Sequence, residues 1–171
     1  MTIDDELAAM AALRTNGDHE GAHVRALELV RQHPGDVRAV LAAAGACDRL
    51  GFEREAVVHY DRALELGVPD EQHQDFTLCY GSTLRNVGRH EEAVARLAEA
   101  ATVYPDDAAM RAFLALALHS AGHPTLALAT MLEAALAAAA RPDGFGRYAR
   151  ALGLYQAELV NAAIGDEPMG D

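Results

Sequence analysis

His19 and His23 stand four residues apart, a spacing that carries two imidazoles to one side of a helix and suits a zinc ion. A third ligand would have to come from Asp18, Glu20 or elsewhere, and no HExxH motif accompanies the pair. Two surface imidazoles on an exposed helix are the simpler reading. His119 and His123 straddle Gly122 as rim and loop residues, while His59, His73 and His90 have no partner at ligand spacing. Gly144-Phe145-Gly146-Arg147-Tyr148-Ala149 copies the glycine spacing of a dinucleotide fingerprint, but it lacks the preceding strand that gives that motif its mechanism. Ser82, after Gly81, falls in mid-helix and forms no nucleophile elbow. Cys79 has no cationic neighbour at close spacing and reads as a small buried or rim thiol. Glu53, Glu55, Glu91 and Glu92 crowd the starts of helices, where carboxylates complement the dipole. The expectation is a protein with no catalytic centre, no metal and no cofactor.

Charge and composition point the same way. The chain has 171 residues and a formal charge of −12, and all 14 basic residues are arginine. Without lysine there is no Walker-type P-loop, no Schiff base and no lysine general base. An acidic surface is also ill suited to a phosphate backbone, so nucleic acid is not an expected partner. The acidic start Met1-Thr2-Ile3-Asp4-Asp5-Glu6 is unlike an export signal. The longest stretch free of Asp, Glu and Arg, from Ala112 to Leu132, is broken by Ser120-Ala121-Gly122-His123-Pro124, so two short helices fit it better than a membrane span. Cys47 and Cys79 form no CxxC pair. These features predict a cytoplasmic protein with free thiols.

The elements that must position all these residues are legible as a repeat. Gly17, Gly51, Gly88 and Gly122 are separated by 34, 37 and 34 residues. Five residues after each comes Ala22, Ala56, Ala93 or Ala127, and seven further on Leu29, Ala63, Ala100 or Ala134. Pro34, Pro69, Pro105 and Pro142 punctuate the ends of the units, and Asp36, Asp70, Asp106 and Asp143 are placed to cap the helices that follow. The glycine suits the left-handed residue that ends a helix, and the alanine lets two antiparallel helices approach closely. The pattern predicts an all-α chain with helices near 3–15, 19–33, 36–50, 53–66, 70–87, 90–103, 106–121, 124–140 and 143–163. The three extra residues near Val68 to His73 are expected to lengthen the fifth helix. Tyr148, Leu152, Tyr155 and Leu159 make an apolar stripe on the last helix, which is expected to cap the array, and residues 165–171 read as a disordered tail.

The second unit (Leu50-Gly51-Phe52, Glu55-Ala56, Tyr60, Ala63-Leu64, Leu66) and the third (Gly81, Gly88-Arg89, Glu92-Ala93, Ala100, Pro105) resemble the tetratricopeptide repeat. Glu6, Val40, Thr77 and Arg111 stand where the family often places a large aromatic. The whole arrangement is similar to small bacterial proteins made only of such repeats and a C-terminal helix. The resemblance implies a right-handed superhelical solenoid, one domain over 1–164, with repeats at about 3–36, 37–70, 74–107 and 108–141. It also implies a concave groove lined by the first helix of each unit, contributing Leu7, Leu41, Leu78 and Ala112 at the fifth position. Ala11, Gly45, Ser82 and Leu116 stand at the ninth and Arg14, Asp48, Arg85 and His119 at the twelfth. The Lys and Asn clamp by which one subgroup grips a C-terminal carboxylate is absent. The function so implied is non-enzymatic binding of a protein or peptide segment, as an adaptor or assembly scaffold. The alternative is a small acidic chaperone for hydrophobic segments, with self-association, a homodimer included, as a supporting property.

Overall fold

A computed structural model describes residues 2–139 and Leu154. Among these, eight helices follow one another without a strand: α1 (Ile3–Thr15), α2 (His19–Gln32), α3 (Val37–Arg49), α4 (Glu53–Leu66), α5 (Asp70–Asn86), α6 (His90–Val103), α7 (Ala108–Ser120) and α8 (Pro124–Ala139). The expected bounds hold to within two residues. Residues 143–163, where a capping helix is expected, lie outside the described residues except for Leu154, which is helical and exposed. The expected tail at 165–171 lies outside them as well. No described helix is long and apolar enough to cross a membrane.

Local chemistry sets the helix ends. Thr2 and Asp5 form a reciprocal capping box, with the Thr2 amide donating to Asp5 at 2.8 Å and the Asp5 amide to Thr2 at 3.2 Å. Asp18 and Asp36 cap α2 and α3. Two expected caps are corrected. Pro69 occupies the N-cap of α5, which leaves Asp70 as its first helical residue. At α7 it is Asp107, not Asp106, that accepts the amides of Ala109 and Met110 at 2.9 and 3.1 Å. Gly17, Gly51, Gly88 and Gly122 all turn the chain with φ between +79° and +86°, a conformation that side chains with a Cβ rarely adopt. The three extra residues lengthen the start of α5, which has 17 residues where α1, α3 and α7 have 13.

Each helix packs on its chain neighbours, and α1, α3, α5 and α7 also pack on one another in series; α2, α4, α6 and α8 make no comparable series. The first helices of the four pairs therefore lie on the short side of the curve. Both small-residue columns are buried: Ala22, Ala56, Ala93 and Ala127 are at most 6% exposed, and Leu29, Ala63, Ala100 and Ala134 at most 3%. The large side chains missing from the start of each unit are supplied elsewhere. Tyr60 from α4 meets Phe76 and Tyr80 of α5 at ring-centroid distances of 5.9 and 5.8 Å, and the two α5 rings stack at 5.4 Å. This aromatic group belongs to a main core running from α3 to α7. A smaller core of Met10, Ala26, Leu29, Ala39, Ala43 and Ala46 joins α1 and α2 to α3, and Val30 touches both.

Candidate protein-binding groove

The candidate inner face, at the fifth, ninth and twelfth positions of the four repeat units, is not uniform along its length. Over α1 and α3 its floor is open: Leu7, Leu41 and Gly45 are half-buried, and Ala11 is exposed. A Cβ placed on Gly45 meets nothing within 4 Å. Over α5 and α7 the floor is sealed, with Leu78 2% exposed, Ser82 8%, Ala112 0% and Leu116 4%. Arg14 and His119 project to solvent at the two ends of the rim, whereas Asp48 and Arg85 between them are half-buried.

Asp48 is turned inward, and it ties three helices together. Its Oδ2 accepts from the Tyr60 hydroxyl of α4 at 3.3 Å, and its Oδ1 lies 3.4 Å from the Thr83 hydroxyl of α5, which also bonds the Cys79 carbonyl at 3.0 Å. The Glu53 carboxyl lies beside it, bonded by the Asn86 side-chain amide at 2.8 Å, with the Arg85 guanidinium nearby. Burial, reinforced by the charge of Glu53, pushes the Asp48 carboxyl up to about 6. Burial likewise raises Glu53. The Cys79 thiol is pushed up to about 12, first by burial and then by the charge of Asp48, so it has little thiolate character near neutrality. Cys47 is raised by burial too.

Other residues singled out in the sequence fall into structural roles. The His23 Nε2 lies 3.5 Å from the Cys47 Sγ, and its ring tilts against Phe52 at 5.3 Å. Among the described residues no group of three or more His, Cys, Asp or Glu side chains is arranged to hold a metal ion. Glu92, placed by the sequence at a helix start, also takes part in a network that sequence spacing does not reveal. Arg89 donates to both oxygens of Asp61 at 3.0 and 2.8 Å and to Glu92 at 3.0 and 2.6 Å, while the Tyr80 hydroxyl donates to Asp61 and Arg96 sits over the Tyr80 ring. That network clamps α4, α5 and α6 on the side away from the groove floor.

The family model of the tetratrico peptide repeat matches residues 37–160, well over half of the chain. The chain belongs to the tetratricopeptide-repeat family. Its fold is that of solved repeat proteins: MamA of AMB-1 superposes with a TM-score of 0.72 at 16% identity, covering 82% of this chain and 81% of that one. MamA residues 41 to the end from Desulfovibrio magneticus RS-1 superpose with a TM-score of 0.68 at 16% identity, covering 96% and 97%. No curated protein matches the chain. As a tetratricopeptide-repeat fold, the molecule is of a kind that serves protein interaction without catalysis. The repeat columns do not reveal the cluster around Asp48, because Thr83, Glu53 and Asn86 stand outside them.

Proposed function

We propose that this protein is a non-enzymatic binding module that takes up a short apolar segment of a partner protein in the open half of its groove. The observation that carries this reading is the contrast along the inner face. Leu7, Leu41 and Gly45 leave a floor of small and aliphatic groups accessible, while Leu78, Ser82, Ala112 and Leu116 are closed off. An apolar helix or extended segment laid on that floor buries its own apolar side chains there, and Arg14 at the rim sets polarity and register. Asp48 and Arg85 act as struts that hold the wall of the site, and His119 lies too far along the array to touch a partner seated over α1 and α3. We place the protein in the cytoplasm, where its two free thiols stay reduced, and assign residues 143–163 the role of a capping helix.

Gly45→Arg is the decisive variant, because the new side chain rises into open space in the groove and leaves the packing beneath untouched. Leu78→Arg would be uninformative, since Leu78 is 2% exposed and the charge would unfold the core. In capture from the native lysate, a defined partner held by the wild type should be lost with Gly45→Arg while circular dichroism stays the same. Retention of the same partner by the variant would remove the groove from consideration. A second reading, an acidic chaperone, is favoured by the net charge of −12, which keeps a complex with an apolar client in solution. It predicts suppression of aggregation for unrelated clients in place of one selective partner.

A further inference from the structure

One junction between successive repeats departs from the chemistry of the others. Six residues past the turn glycine, the second helices carry His23, Val57 and Val94; four residues before the next turn glycine, the first helices that follow carry Cys47, Leu84 and Leu118. Leu84 lies in the main core, Val57 and Val94 pack against it, and Leu118 is buried. Packing at such a junction asks for two apolar side chains. Between α2 and α3 an imidazole and a thiol stand there instead, and they meet, with the His23 Nε2 3.5 Å from the Cys47 Sγ. The sulfur comes from across the junction, which is why spacing along the chain pairs His23 only with His19.

A hydrogen bond from the thiol to the imidazole accounts for that distance, and so does a shared metal ion. With bonds of about 2.3 Å to sulfur and about 2.0–2.1 Å to nitrogen, a tetrahedral zinc ion holds two such ligand atoms about 3.6 Å apart. Further donors stand near the pair on α4, which packs on α3 as α2 does. Burial, and after it the charge of His23, lowers the pKa of the half-buried His59 imidazole. Burial, and after it the charge of Glu55, raises that of the Cys47 thiol. Among the described residues no third donor joins the two that meet, so the set closes when the His59 ring turns toward them. Cys47 is 1% exposed, but His23 is half-buried and the Phe52 ring leaning on it is 45% exposed, so the way in from solvent passes a surface side chain and not the core. A bound cation drives off the thiol proton even where burial otherwise retains it.

We propose that Cys47, His23 and His59 form a binding site for a zinc ion at the junction of the first two repeats, with one coordination position left open. The ion fastens α2 to α3 and α4, where the smaller core meets the main one. Cobalt(II), which is coloured in tetrahedral thiolate sites, is the first probe, added to the full, reduced chain. The wild type should develop visible ligand-field bands and a near-ultraviolet sulfur-to-cobalt band at a single equivalent, both bleached by zinc, and zinc should raise its Tm. Cys47→Leu/His23→Val installs the residue types of the next junction, Leu84 and Val57, and so is chosen to fold. It should lose the sulfur band and the rise in Tm and bind zinc on the order of a hundredfold more weakly, with the helical dichroism unchanged. His59→Ala should keep the sulfur band and bind about tenfold more weakly. A wild type without a sulfur-to-cobalt band overturns the proposal and leaves the contact as a hydrogen bond. Metal binding that survives the double change overturns the assignment to this junction, and wild-type affinity in His59→Ala overturns the third ligand.

Discussion

Gly45 and Gly81 are both helical glycines on first helices, yet replacing each by alanine should move stability in opposite directions. At Gly45 a Cβ meets nothing within 4 Å, so Gly45→Ala keeps only the conformational benefit, about 0.5–1 kcal/mol of added stability. At Gly81 a Cβ would stand 2.6 Å from the Leu97 Cγ and 2.8 and 2.9 Å from its two methyl carbons. Leu97 is fully buried and held by the main core, so it cannot rotate away into solvent. Overpacking of this kind costs about 1–3 kcal/mol, and α5 and α6 must separate to relieve it. Set against the same propensity gain, Gly81→Ala is expected to be destabilising by about 1 kcal/mol. For a chain of this size that is a fall of roughly 2–4 °C in Tm, with Gly45→Ala rising by a comparable or smaller amount. Paired urea and thermal melts of the two variants read both signs at once. A Gly81→Ala protein as stable as the wild type would refute the close approach of α5 to Leu97 on which the packing account rests.

The unfolded chain ionises Asp48 near 3.8 while burial holds it protonated to about 6 in the fold, so its contribution makes stability fall as pH rises from about 4 to 6 and remain lower above. Asp48→Asn should abolish that slope in urea melts and gain on the order of 2 kcal/mol at pH 7.5, and a variant whose pH profile parallels the wild type would show that the carboxyl is not confined. Cys47, which is buried, and Cys79, which is half-buried with its thiol pushed up to about 12, should resist a thiol reagent at pH 8 in the native protein and both react at once in denaturant; rapid native labelling of Cys47 would contradict its burial.

The helices were legible because their signals are local. A glycine that ends one helix, an alanine five residues on and an aspartate at the next start each act within a turn or two of chain, and four copies reinforce one another. Where two aspartates stood side by side, at Asp106 and Asp107, either satisfied the pattern, and only the backbone direction into α7 selects the second. The groove was legible as a face but not as a surface. That Leu41 is open and Leu78 shut depends on how the helices along the inner face come together, a distance that repeat spacing does not encode. Asp48 shows the same limit. Its partners Tyr60 and Thr83 lie 12 and 35 residues away, so a residue that counts as rim by position becomes a strut once α4 and α5 fold over it.

The division of the interior into two cores has a consequence for how the molecule comes apart. An array that holds each unit only through its neighbours melts from whichever end is least anchored, and α1 and α2 are anchored by the smaller group, rich in alanine and joined to the rest through α3 and Val30. Amide protons of that first pair should therefore exchange through local opening well before those of α5 and α6, beneath the aromatic stack. The open floor at Leu7 and Leu41 belongs to the same end. The helices that open before the interior are thus also those proposed to receive a partner, and occupancy of the groove would register as slowed exchange in α1 and α2 while the interior of the array stays unchanged.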